Sequence, residues 1–208
     1  LAAATLAVLS TPALAGGPTI VEPDPMPAAM AAPAEVTDWS GAYAGLAIGR
    51  TSGDFDDVTN GGTFDYDNGR AVGAFAGYNI QRGSLVYGGE LSFGKVSDMA
   101  LLGPTLGGDD TVDSLLDLRG RVGFSLGRAL IYGSIGYARA NTTVNATDSV
   151  DLSGTSYGVG VDYRLGNSVF LGLDYVSRNV DGTDTNPSNT FDIDSKIDTL
   201  SLRFGVKF

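Results

Sequence analysis

The chain has 208 residues, enough for one domain with tails, and sets 24 acidic against 13 basic residues for a formal charge of −11. That balance argues against a nucleic-acid partner, because phosphate recognition needs a basic surface. There is no cysteine, which excludes disulfides and thiolate metal sites, and no histidine, which removes the commonest general base. Thirty glycines with nine tyrosines and nine phenylalanines suit strands and turns better than helices. After the N-terminus no apolar run reaches the ~18–20 residues that a membrane helix needs. A membrane-spanning reading therefore requires a closed barrel, the other structure that satisfies every backbone group in lipid.

Residues 1–15, LAAATLAVLSTPALA, have the apolar core and the small-x-small end (Ala13-Leu14-Ala15) of a secretory signal peptide, with its basic start missing. Residues 16–38 carry Pro18, Pro23, Pro25, Pro27 and Pro33 and read as an extended periplasmic linker. From Trp39 to Phe208, strand-like runs alternate with segments rich in Gly, Asp, Asn, Ser and Thr. The runs are 39–50, 69–81, 85–97, 114–126, 129–141, 152–165, 168–180 and 196–208. Arg82-Gly83-Ser84, Gly127-Arg128 and Gly166-Asn167 are tight connections, whereas 51–68, 98–113, 142–151 and 181–195 are long. Short turns at one end and long loops at the other describe an up-and-down barrel of the outer-membrane kind. An even strand count returns the C-terminus to the end where the linker enters, which the pattern places on the periplasmic side.

Period-two alternation separates the two faces. In the last run Leu200, Leu202, Phe204, Val206 and Phe208 oppose Thr199, Ser201, Arg203, Gly205 and Lys207. Run 85–97 sets Leu85, Tyr87, Leu91 and Phe93 against Gly88, Glu90, Ser92 and Gly94. Run 114–126 sets Leu116, Leu118, Val122, Phe124 and Leu126 against Asp117, Arg119, Arg121 and Ser125. Tyr157, Val159, Val161 and Tyr163 oppose Gly158, Gly160, Asp162 and Arg164, and Val169, Leu171, Leu173 and Tyr175 oppose Gly172, Asp174 and Arg178. In run 129–141 the faces of Ile131, Tyr132 and Ile135 stay ambiguous. A polar face so rich in Gly, Ser and Thr, carrying both signs of charge, suits a lumen better than a solvated exterior. Tyr78, Tyr87, Tyr163 and Tyr175 near the run ends suit interfacial girdles. The expected fold is all-β: an eight-stranded antiparallel up-and-down transmembrane β-barrel over residues 39–208, with a filled polar lumen.

Eight strands leave an interior that side chains can fill. Glu90, Asp117, Arg119, Arg121, Asp162, Asp174 and Arg203 are then expected to form a reciprocally paired network, because an unpaired charge there costs several kcal/mol. That network reads as a polar core, with a gate or narrow ion path as the other reading.

Asp38-Trp39-Ser40-Gly41-Ala42-Tyr43-Ala44-Gly45, Gly77-Tyr78-Asn79 and Leu202-Arg203-Phe204-Gly205-Val206-Lys207-Phe208 resemble small alphaproteobacterial outer-membrane surface proteins, opacity-like members of the OmpA-type superfamily. The resemblance covers Trp39 to Phe208 with short, mostly architectural motifs. It implies a surface barrel with structural, immunogenic or adhesive roles and no shared catalytic residues. It also implies that Leu202, Phe204, Val206 and Phe208 act as the signal that barrel-assembly machinery reads. Lipid and lipopolysaccharide of the outer membrane are the other expected partners; no cofactor and no metal is expected, and the oligomeric state stays open. A second, peptidoglycan-binding domain is not expected, since the sequence ends at Phe208.

The leading expectation is a non-enzymatic outer-membrane surface protein displaying acidic loops. A narrow porin-like channel and an adhesin acting through its loops are the alternatives. A hydrolytic barrel that relies on histidine as its base is closed off. Asp54, Asp56, Asp57, Asp65 and Asp67, then Asp98, Asp109 and Asp110, then Asp181, Asp184, Asp192 and Asp194 crowd three loops. Carboxylates suit calcium, but no segment has the spacing of a calcium loop, and acidic loops are usually solvated.

Overall fold

The computed structural model describes residues 37–57, 62–65, 68–97, 111–144, 148–186 and 189–208. The expected signal peptide and nearly all of the expected linker lie outside these residues. Within the compact unit Ala34–Phe208, eight long strands follow one another: β1 (Gly41–Asp57), β2 (Gly69–Arg82), β3 (Leu85–Ser97), β4 (Thr111–Leu126), β5 (Ala129–Val144), β6 (Asp148–Arg164), β7 (Val169–Asn186) and β8 (Asn189–Lys207). Each pairs antiparallel with the next, and β8 returns to β1, with Leu46 opposite Phe204 and Ile48 opposite Leu202. No long strand edge is left open, so every stave has both neighbours. A four-residue strand, Gly62–Asp65, extends the β1 hairpin by pairing with Asp54–Asp57.

Two of the tight turns owe their shape to glycine. Gly83 and Gly127 stand at φ 63° and 60°, each first in a two-residue connection. This is the place where the primed hairpin turns, types I′ and II′, whose twist matches the flanking strands, need a positive φ. The third connection is longer than the expected Gly166-Asn167. Leu165 to Ser168 bend as four residues, closed by the Leu165 N–H donating to the Val169 carbonyl at 2.9 Å.

On the turn side the strand ends agree with the sequence pattern to within two residues. On the loop side most strands run further: β1 continues to Asp57, β6 starts at Asp148, and β7 pairs with β8 as far as Asn186 opposite Asn189. The expected loops are shorter in consequence. Outward apolar residues mark only the lipid band, whereas the backbone ladder needs no apolar side chain and continues into polar sequence. β4 absorbs one irregularity, a register shift between Val112 and Ser114.

The outward wall is apolar over its middle. Leu46, Ile48, Val72, Leu118, Ile135, Val159, Leu202 and Phe204 all present their side chains outside. The ambiguous strand is settled: Ile131 and Ile135 face out and Tyr132 is buried in the lumen. In water such a wall would be an aggregation surface far larger than a few hundred Å². Ile135 is 71 % exposed. Replacing it by arginine should cost about 2–4 kcal/mol of unfolding free energy in lipid vesicles, the penalty for a cation near the bilayer midplane. Urea titration of the refolded variant reads this directly, and a loss below about 0.5 kcal/mol, within the usual range for a surface substitution, would remove the lipid-facing assignment.

Candidate functional site

The inward face is stacked in layers from the turn end to the loop end. At the turn mouth, Trp39, Phe170, Val86 and Leu130 pack with Phe75, Tyr43 and Tyr132. Trp39 precedes β1 and caps the opening: its backbone N–H donates to Gln81 Oε1 at 2.7 Å, and its ring lies under the Arg164 guanidinium, 4.5 Å away. Asp38 ties this cap to the last strand. Its carboxylate accepts from Lys207 Nζ at 3.0 Å and from the Ser40 N–H at 2.9 Å. Those two donors hold the carboxyl below the usual carboxylate range.

Above the aromatic layer lies the ionic one. Glu90 on β3 sits at its centre with three guanidinium groups on one carboxylate. Arg119 Nη2 donates to Oε1 at 2.6 Å, Arg121 Nη1 donates to Oε2 at 2.7 Å, and Arg203 reaches both oxygens. Arg119 also donates to Asp174 at 3.0 Å, and Arg121 to Asp162 at 2.7 Å. Tyr132 donates to Asp174 at 2.8 Å and accepts from Arg203 at 2.9 Å. Tyr43 donates to Glu90 at 3.0 Å and accepts from Arg121 at 2.6 Å. Two rings complete the cage: Tyr132 lies 3.7 Å from the Arg121 guanidinium and Phe75 lies 3.9 Å from that of Arg203.

One step toward the loops, Arg178 grips Asp117 through two bonds, Nε to Oδ1 at 2.9 Å and Nη2 to Oδ2 at 2.7 Å, and donates to Thr199 at 2.8 Å. A cavity of about 70 Å³ lies between this pair and the Glu90 cluster, lined by apolar residues such as Ala47, Phe75 and Leu115 as well as by Asp117, Arg178 and Arg203. It has room for a few water molecules. Beyond it the lumen turns apolar again, with Val96, Leu115, Ala138, Ala140, Leu152, Val180 and Ile197 buried together at the loop end.

All seven charged residues expected in the lumen are buried there. Six of them share the Glu90 cluster, while Asp117 is held one layer away by Arg178. Arg178 stood on the polar face of its run but was not counted into the network. Tyr43, Tyr132 and Phe75 were missed because aromatic residues in a barrel of this kind read first as lipid-facing. The sequence holds a signal for them. A Cβ on Gly77 would run into the Tyr43 hydroxyl, one on Gly160 into the Tyr132 ring, and one on Gly45 into the Phe75 ring, as one on Gly205 would into the Phe170 ring. Each of these four inward aromatics thus lies across a glycine on another strand. The lumen is also not polar throughout. The ends of the same inward rows carry Val86, Leu130, Leu115 and Ile197, so the ionic layers lie between two apolar ones.

Among the described residues the ionic layers pair four carboxylates with four guanidinium groups, and a fifth buried guanidinium, that of Arg164 at the turn mouth, donates to the Asn167 and Asp38 carbonyls. Leu202, Phe204 and Phe208 of the expected assembly signal face outward, and Val206 is half-buried beside them. Of the loop carboxylates, Asp54, Asp181 and Asp194 are described and line an open depression with Lys196. Among the described residues no group of three or more acidic side chains is placed to hold a metal ion. Asp56, Asp57, Asp65, Asp67, Asp98, Asp109, Asp110, Asp184 and Asp192 belong to segments whose side chains lie outside the description.

Two substitutions test the layer. Glu90→Gln leaves three buried guanidinium groups short of an anion and should cost about 3–5 kcal/mol in urea unfolding, while the exposed Asp181→Asn should stay within about 0.5 kcal/mol. Gly205→Val should cost about 1–3 kcal/mol by overpacking against Phe170. Phe170→Ala in the same chain should then cost less than it does alone. Simple additivity of the two would contradict the fit of that ring over the glycine.

The profile of a family described as "Outer membrane protein beta-barrel domain" matches residues 25–208. The chain is 30 % identical to a 22 kDa outer membrane protein of Rhizobium leguminosarum bv. viciae over 175 residues, covering 82 % of this chain and 78 % of that protein. It is 26 % identical to a 31 kDa outer-membrane immunogenic protein of Brucella melitensis biotype 1 over 240 residues, covering 99 % and 97 % of the two chains. Among solved structures, Neisserial surface protein A overlaps with a TM-score of 0.49 and 17 % identity, over 81 % of this chain and 99 % of its own. With a lipid-type outer wall, a closed eight-strand lumen and a family match that spans the whole barrel, this chain belongs to the outer-membrane protein β-barrel domain family.

Proposed function

We propose that the protein is a non-enzymatic structural surface barrel of the outer membrane, with its lumen closed to solutes, its tight turns and both ends of the barrel chain toward the periplasm, and its acidic loops outside. The closure of the lumen carries the reading. The aromatic layer under Trp39 and the apolar layer around Leu115 and Ile197 cover both ends of the ionic core. The core carboxylates are engaged by guanidinium groups, which leaves them poorly suited to general acid or base work. A chain with no histidine offers no ready replacement. The function then resides on the outer wall and the loops, with lipid and lipopolysaccharide around the barrel and assembly machinery engaging Leu202, Phe204, Val206 and Phe208 during insertion.

A narrow channel is the second reading, and the 70 Å³ cavity between the ionic layers is what favours it. In planar bilayers the closed-lumen reading predicts a quiet membrane; large, reproducible unitary steps would overturn it. Because the chain has no cysteine, orientation is open to single-cysteine labelling. Asp181→Cys should react with an impermeant maleimide on intact cells and Ser84→Cys only after lysis. The opposite pattern would reverse the topology.

A further inference from the structure

Outward-facing cations gather near the loop ends of the strands: Arg50 on β1, Arg70 on β2, Lys95 on β3, Arg139 on β5 and Lys196 on β8. Two of them are engaged. Lys196 lies 3.7 Å from Asp198, and Arg139 bonds to Tyr137. Arg50, Arg70 and Lys95 make no ion pair among the described residues, although the register packs them together. Arg50 stands directly opposite Arg70, and Lys95 stands opposite Val72, two residues along from Arg70. Direct cross-strand partners have Cβ atoms about 5 Å apart and diagonal ones roughly 7–8 Å, so Arg70 stands within side-chain reach of both Arg50 and Lys95.

Like charges facing each other across a ladder destabilise it unless an anion lies between them. The patch stands two residues past the exposed side chains of Ile48, Val72 and Phe93 on the same outward rows. It is therefore at the edge of the apolar band, where headgroups meet the wall. Of the outward carboxylates nearby, Asp198 on β8 lies diagonally across from Arg50 but is engaged by Lys196 at 3.7 Å, and Asp54, Asp181 and Asp194 stand further toward the loops, so the cations without an ion pair among the described residues are those of β1 to β3. A phosphate matches the forked donors of two arginines, and a ligand that also touches Ile48, Val72 and Phe93 must bring acyl chains.

We propose that Arg50, Arg70 and Lys95 form a phosphate-binding cradle for a phosphorylated outer-leaflet glycolipid, lipopolysaccharide, whose acyl chains lie on the wall below. This rests on the outward orientation of the loops proposed above.

The test is native mass spectrometry of the refolded full barrel in detergent with bisphosphoryl lipid A as probe. The wild type should retain lipid A at least tenfold more strongly than R50Q/R70Q/K95Q. R82Q/R128Q, which removes cations from the turn end, should bind like the wild type. R50K/R70K, which keeps the charge and loses the fork, should fall between them, and each variant should show the heat-modifiable band of a folded barrel. Equal retention by the triple glutamine variant, or an equal loss in R82Q/R128Q, would overturn the cradle. Equal binding of phosphatidylglycerol would overturn the glycolipid assignment, and displacement of lipid A by inorganic phosphate at equal concentration would overturn the lipid one. Single-channel steps would remove the closed-lumen reading without touching this result, and inverted cysteine labelling would remove the outer leaflet as the source while leaving lipid A binding measurable.

Discussion

One carboxylate holding three guanidinium groups is the interaction on which the rest of this barrel depends. Glu90 and its partners draw on every stave: Tyr43 from β1, Phe75 from β2, Glu90 from β3, Arg119 and Arg121 from β4, Tyr132 from β5, Asp162 from β6, Asp174 from β7 and Arg203 from β8. An eight-strand interior has no width to spare. A cage of this size therefore forces glycine opposite its rings at Gly77 and Gly160. It also forces pairing, because a charge removed from water recovers its desolvation cost only against partners in good geometry. Apolar layers at both ends keep water away and strengthen each ion pair. Architecture and chemistry are one constraint here.

The outer wall answers to a different solvent. Its apolar belt sets where the barrel rests, and the strands continue past that belt into polar ladders. With every buried carboxylate matched by a guanidinium group, the acidic excess of the chain lies elsewhere, much of it in the loop segments. Against that excess, the contiguous cations of β1, β2 and β3 stand out on the wall, at the edge of the apolar band and beside the carboxylates of the adjoining last strand.

How much of this was legible in sequence depended on the side chain asked about. Parity alone placed Leu202, Phe204, Leu118 and Val159 outside and Glu90, Asp117 and Arg203 inside, because one-residue alternation admits no intermediate answer. It failed at Tyr132, whose ring is apolar and whose hydroxyl is not. The structure buries it because the hydroxyl bonds Asp174 and the ring faces Arg121. It also failed at the loop-side strand ends, where hydrogen bonds rather than burial extend the ladder to Asn186 and Asn189. Apolar lumen residues such as Leu115 and Leu130 were legible only as exceptions on a polar row. Arg178 stands on the polar row of its run, but its partnership with Asp117 needs the barrel curvature to bring β4 and β7 together.

If the ionic layer is a single cooperative core, its members must be coupled energetically. The most direct measurement is a double-mutant cycle on Glu90→Gln and Arg203→Met, with unfolding followed in lipid vesicles. The account predicts that the double variant is more stable than the sum of the single losses implies by at least about 1.5 kcal/mol, in the range seen for residues within one network. Additivity within about 0.5 kcal/mol would mean that the two groups act independently, and the sealed ionic core would not stand.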